Sequence, residues 1–232
     1  MQDNQKIISE DVVLLPDPER IVNGLRDTGY NFNTAIADIV DNSISANAKV
    51  VYIDITLDPD LKVNVYISDN GCGVDLDGLK NAMKYGSSER AEKNSLGKFG
   101  LGLKTASTAL CRRFAVISRN ETDSTLRKVQ WDLDYIAINR SWLLQFPEIE
   151  EDEEMLLERT AGNGHGTLVV WDKVDRLLRD YKTRSNAEKA LRKQIDTLCA
   201  HLSMVYQRFL DVDDTKLRSE ERLVGKECRS RW

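Results

Sequence analysis

Three short polar segments, in a fixed order, constrain this chain more than anything else in its sequence. The first is AIADIVDNSISANA, in which Asp38 and Asn42 stand four residues apart and share one helical face, with Asp41 beside them. The second is Asp69-Asn70-Gly71-Cys72-Gly73, which closes a run of alternating apolar residues. Its glycines let the backbone turn sharply and approach a ligand closely. The third is Gly97-Lys98-Phe99-Gly100-Leu101-Gly102-Leu103-Lys104, a GxxGxG run that opens a helix. Unpaired amides and the positive end of the helix dipole make such a place an anion site. Each segment alone has an ordinary explanation: a solvated helix face with a cap, a tight turn, a glycine-rich loop. The third is neither a Walker motif, which ends in GK[ST], nor a dinucleotide fingerprint, whose glycine order is reversed.

Between these segments the chain reads as mixed α/β. Residues 17–26 suggest a short helix, and Asn33 or Thr34 can cap a second that runs to about Ala46. Residues 50–57 and 62–68 alternate as half-buried strands do, and the short Pro59-containing connection predicts an antiparallel hairpin. A helix is expected at 76–84, another from the glycine run to about Cys111, and strands at 113–119, 127–133 and 167–171. The acidic run 148–154, six carboxylates in seven positions, reads as a solvated loop or helix face. Leu191, Ile195, Leu198, Leu202, Val205 and Phe209 form a stripe at helical spacing, which predicts a long amphipathic helix near 187–210 that packs on the sheet or stands out as a stalk. Residues 211–232 carry six charges of each sign without a period and read as disordered or expression-derived.

Composition narrows the classes further. With 232 residues, 41% of them hydrophobic, the chain can bury a core of one sizeable domain plus an appendage. A net charge of −5 gives no global reason to expect nucleic-acid binding. No apolar run approaches the roughly 20 residues that cross a bilayer, and the polar N-terminus is no secretory signal. Scattered cysteines and only two histidines, His165 and His201, suggest reduced thiols in a cytoplasmic protein and no metal-ligand cluster.

Taken together and in order, the three segments resemble the motifs of the GHKL superfamily of ATPases: gyrase B subunits, the large heat-shock chaperones, MutL proteins, histidine kinases and the MORC (microrchidia) proteins. The helix resembles the N box, DNGCG the first glycine box and GKFGLGLK the second. Gly166-Thr167 before an apolar strand resembles a third, GxT. The wording DNGCGVDLDGLKNAMKYGSSER and GTLVVWD is most similar to the MORC-like branch. The resemblance spans about residues 30–172.

The resemblance implies a Bergerat-type α/β sandwich, with a mixed, largely antiparallel sheet and helices on one face. It also implies ATP as ligand and substrate, with Mg²⁺ as cofactor. Asp69 would accept from the adenine amino group, with Thr167 in support, and Gly71 and Gly73 would let the backbone reach the base. Asn42 would hold Mg²⁺. Gly97, Lys98, Phe99, Gly100, Leu101 and Gly102 would wrap the phosphates, with Lys98 and Lys104 as candidate charges. Residues 86–95 would form a lid, in which Ser87 and Ser88 are weaker candidates. The family's general base is a glutamate four residues before the asparagine. Here that position holds Asp38, one methylene shorter, which implies slow hydrolysis unless the helix sits closer or Asp41 takes over.

The expected organisation is an N-terminal extension at 1–29, the ATP-binding domain at 30–182, a long helix at 183–210 leading toward a second domain, and the charged tail. ATP-driven lid closure and homodimerisation, with DNA or protein partners reached through other regions and no membrane, follow from the same resemblance. So does a nuclear location if the source is eukaryotic. Two other readings stand beside the ATPase. One is an ATP sensor with negligible turnover; the other, which lacks a convincing phosphoacceptor helix, is a phosphotransferase of the histidine-kinase branch.

Overall fold

Period-two alternation builds the sheet, and the two faces it creates set the architecture. The computed structural model describes residues 16–27, 29–85 and 102–210, together with the backbone of 224–225 and 229–231. Strands β1 (Val50–Leu57) and β2 (Val63–Asp69) form the expected hairpin, paired antiparallel from Val51 opposite Asp69 to Leu57 opposite Val63. Strand β3 (Cys111–Arg119) pairs antiparallel with β4 (Arg127–Asp132) and with β5 (Gly166–Val174). Strand β5 in turn pairs with β2, so the order is β4-β3-β5-β2-β1, antiparallel throughout.

The main helical layer covers one face. Helix α1 (Pro18–Arg26) is capped by Asp17, and α2 (Phe32–Ser45) by Asn31, which forms a capping box with Thr34. The sequence reading placed this cap two or three residues later; Asn31 wins because its side chain and that of Thr34 satisfy each other's backbone amides. Helices α3 (Leu76–Met83), α4 (Gly102–Leu110) and α5 (Leu133–Asn139) complete the domain's layer. Phe114, Val116, Val169 and Trp171 face it, in one core with Ile36, Ile39, Leu79 and Ala106. Helix α1 joins this core through Val22. Arg26 is buried, donates to Thr108 O at 2.9 Å and pairs with Asp175.

The other face carries one helix that the sequence reading did not separate, α6 (Glu151–Ala161). Its Leu157 meets Ala115, Ile117, Leu168 and Val170, the alternate residues of β3 and β5. The acidic run expected on a solvated loop or helix face leads into this helix, and its carboxylates are exposed except at Glu153. Four of its carboxylates lie in the first turn, where the helix dipole favours negative charge. Glu153 is buried and receives Lys128 Nζ at 2.7 Å on both oxygens.

The long helix α7 (Arg184–Val205), followed by α8 (Gln207–Leu210), lies along α2 and does not stand out as a stalk. Ala187, Leu191, Ile195 and Leu198 are buried, whereas Val205 of the expected stripe is exposed. Two stretches of the C-terminal segment, β6 (Val224–Gly225) and β7 (Arg229–Arg231), pair in parallel with β1. A tail read as loose thus contributes backbone to the sheet edge. Among the described residues no helix is long and apolar enough to cross a membrane.

Removing one partner of a buried ion pair strands the other. Glu153→Ala is expected to lower stability by about 3 kcal/mol in urea denaturation, while Lys128→Met with Glu153→Leu stays near wild type. Equal losses in both variants would contradict this reading of the pair.

Candidate functional site

Where β2 ends, the sheet delivers a carboxylate to the underside of α2. Asp69 pairs with Thr167 across the β2–β5 ladder and is only 6% exposed. Its Oδ1 accepts from Gly71 N at 2.8 Å and its Oδ2 from Ser43 Oγ of α2, also at 2.8 Å. Burial pushes its pKa up. The Gly71 amide, the Ser43 hydroxyl, the Thr167 amide and the charge of His165 act in the opposite direction. The result is a desolvated acceptor, fixed in orientation, at the mouth of a glycine turn.

That turn is drawn tightly against α2 and β3. A Cβ on Gly71 would fall 2.7 Å from Ala46 Cβ and 2.8 Å from Ala46 O, while Cys72 N donates to that same carbonyl at 3.0 Å. Gly73 has φ +65°, and a Cβ there would lie 2.0 Å from Arg119 O. His165, read from the sequence as a loop residue, places Nδ1 2.5 Å from Gly71 O. Thr167 Oγ1 lies 3.0 Å from Ser118 Oγ. Ser118 donates to Gly166 O, which leaves Thr167 as donor in the shared bond, and it accepts from Val74 N.

The second half of the site is the polar face of α2. Asn42 Nδ2 donates to Asp38 O at 2.8 Å, which leaves its Oδ1 as the acceptor end. Asp38 Oδ2 accepts from Tyr30 Oη at 2.5 Å and stands 3.5 Å from where a Cβ of Gly102 would be, so the carboxylate abuts the first residue of α4. Asp41 is committed elsewhere. Its Oδ1 accepts from Tyr206 Oη at 2.7 Å, at the junction of α7 and α8. Burial raises its pKa, and Asp38 adds to the rise.

The structure brings Asp38, Asn42, Asp69, Gly71, Gly73, Gly102 and Thr167 to one end of the sheet and the helices above it. Lys104, put forward as a phosphate charge, stands in the first turn of α4. It is wholly buried, donates to Ala82 O at 2.7 Å and lies 5.8 Å from the centre of the Tyr85 ring. Ser87, Ser88, Gly97, Lys98, Phe99, Gly100 and Leu101 lie outside the described residues. Sequence reasoning missed Ser43, Tyr30 and His165. Ser43 follows directly on Asn42 and His165 on the glycine turn before GxT, but neither spacing says which backbone the side chain meets.

This geometry is that of an ATP-binding domain: a buried acid at a strand end, a glycine turn beneath it and a carboxamide on the helix above. The chain belongs to the histidine kinase-, DNA gyrase B- and HSP90-like ATPase family, whose model matches residues 30–167, more than half of its length. It is similar to the microrchidia proteins. Protein MICRORCHIDIA 6 of Arabidopsis thaliana is 29% identical over 111 residues, covering 46% of this chain and 17% of that protein. Protein MICRORCHIDIA 1 of the same plant is 33% identical over 90 residues, 37% of this chain and 14% of that one. ATPase MORC2B of Mus musculus is 23% identical over 169 residues, 59% and 16% respectively. The match spans less than a fifth of each of these relatives.

Two predictions follow from the turn and its acid. Gly73→Ala meets both a disfavoured φ and a backbone collision, so it should destabilise the fold by at least about 2 kcal/mol. Gly24→Ala, with open space around it in α1, should stabilise by about 0.5–1 kcal/mol; thermal melts of both variants check the contrast. For Asp69 the sign is set by a folded pKa above the ordinary 3.8. The folded state keeps a proton that the unfolded chain releases, so this contribution to stability falls as pH rises from about 4 through the folded pKa. Asp69→Asn removes that decline. Urea titrations at pH 4 and pH 8 should show a smaller pH-dependent loss than in wild type, and an identical slope would contradict the assignment.

Proposed function

We propose that this domain binds Mg·ATP and hydrolyses it slowly, with Asp38 as general base. The observation that carries the reading is the placement of Asp38 and Asn42 on one face of α2. The carboxylate meets the start of α4, and the buried Asp69 lies beneath the same helix. Asp69 accepts a hydrogen bond from the exocyclic amine of adenine, which a neutral amide would not discriminate in the same way. Thr167 supports the base from β5. Backbone amides of 97–102 surround the β- and γ-phosphates at the head of α4, where the helix dipole favours negative charge.

The donor set suits magnesium. Asn42 Oδ1 would hold the ion as a hard oxygen ligand, with phosphate oxygens and water as the other donors. When bound, the ion neutralises charge on the β- and γ-phosphate oxygens. Asp38 takes a proton from the attacking water as its oxygen bonds to the γ-phosphorus. The bond from that phosphorus to the β–γ bridging oxygen breaks, releasing ADP and inorganic phosphate. Aspartate reaches about 1.5 Å less far than glutamate, and a shortfall of that size costs on the order of 10²-fold in rate. This supports slow turnover. The shorter acid at position 38 also favours a second reading in which binding, rather than turnover, is the output: an ATP sensor.

By likeness to the family we also assign residues 86–95 as the lid that closes on nucleotide, and homodimerisation as the consequence of closure. Residues 183–210 lead from the ATP-binding domain toward a following domain. DNA or protein partners would be met by other regions of a longer protein, in the cytoplasm, or in the nucleus if the source is eukaryotic.

Phosphate release under saturating Mg·ATP tests the base. Asp38→Ala should lower kcat by about tenfold or more, with ATP affinity by calorimetry within about twofold of wild type. An unchanged kcat removes Asp38 from the mechanism. Wild-type turnover at the buffer level, with intact binding, establishes the sensor.

A further inference from the structure

The hydrogen bond between Tyr30 and Asp38 has a geometry that a solvated aspartate on a helix face does not need. Tyr30 precedes α2, and its hydroxyl donates to Asp38 Oδ2 at 2.5 Å, within the range of a charge-assisted bond to a carboxylate. The bond ties the turn before α2 to α2 itself, at the point where Asp38 faces Gly102, the first residue of α4.

We propose that Tyr30 is a positioning residue for Asp38, holding the short carboxylate with Oδ2 occupied and Oδ1 directed to the water it must deprotonate. The proposal rests on Asp38 acting as the base. It explains how an aspartate serves where the family uses a longer acid: its freedom is restricted by a donor instead of its reach being extended. Burial and the neighbouring carboxylate raise the pKa of Tyr30, so the phenol stays protonated, and a donor, across the neutral range. Among the described residues, the titratable groups that act on Asp38 are Tyr30 from the preceding turn, Asp41 on α2 and Tyr206 at the end of α7. Of these, Tyr30 makes the direct bond, while Tyr206 is engaged by Asp41 and Ala37 O.

The test uses the full chain with Tyr30→Phe, Asp38→Glu, the double variant, and Asp38→Asn as reference. Two readouts separate positioning from a merely structural role: kcat against KM for Mg·ATP, and the coupling between the two substitutions. Tyr30→Phe should lower kcat about tenfold with KM within about twofold. In the double variant the extra methylene of glutamate has room that the hydroxyl had filled. Asp38→Glu should therefore restore more activity in the Tyr30→Phe background than in wild type, a non-additive pair. Unchanged kcat in Tyr30→Phe, or strictly additive effects in the double variant, would overturn the proposal, provided Asp38→Asn has lost activity. Wild-type turnover in Asp38→Asn would instead overturn the base assignment, and the proposal with it. Should Tyr30→Phe fail to fold, Tyr30→His, which keeps a ring on a shorter side chain, takes its place, and a wild-type kcat in that variant counts against the proposal.

Discussion

A carboxylate taken out of water has to be answered by donors, and Asp69 is answered from two parts of the fold at once. The Gly71 amide comes from the turn that follows it and the Ser43 hydroxyl from α2. Satisfying one acid thus fixes the height of α2 above the sheet and the path of the glycine turn. Burial without such partners would cost several kcal/mol. With them, the residual penalty is held at a place where a ligand's amine can relieve it. The elements are positioned by ordinary core packing, but their relative placement at this end of the sheet depends on this one group.

Helix α2 carries the rest of the site and is gripped by tyrosines at two levels. Tyr30 engages Asp38 from the turn before the helix, and Tyr206 engages Asp41 and the Ala37 carbonyl from the end of α7. The two aspartates, three residues apart, are therefore given different surroundings. Asp38 faces the start of α4, whereas Asp41 faces the long C-terminal helix. Of the two acids that could serve as base, only the first points where phosphate would sit, at the head of α4. The second links the site to whatever follows α7.

Much of this was legible in the sequence because local rules dominate where the signals are strongest. The β1–β2 hairpin follows from strict alternation and a short turn, and α7 from a stripe of apolar residues at steps of three and four. Asp38, Asn42, Asp69, Gly71, Gly73 and Thr167 stand out because their residue types and order resemble a family pattern. What escaped was tertiary. Nothing local says that Glu153, in a run of carboxylates, finds Lys128 across a strand and becomes buried. Nothing in the spacing of the glycine run says that Lys104 turns inward to Ala82 O. Tyr30, Ser43 and His165 carry no motif of their own; each matters because of a backbone or carboxylate brought to it from more than one turn away.

The claim beneath the account is that Asp69 reads the amino group of adenine. Isothermal calorimetry with Mg·ATP and Mg·ITP tests it directly, because inosine replaces that amine with a carbonyl and leaves the triphosphate unaltered. The account predicts heat of binding with ATP and an affinity for ITP at least about 10²-fold weaker, since two acceptors would then face each other in a buried site. Equal affinity for the two nucleotides would contradict it.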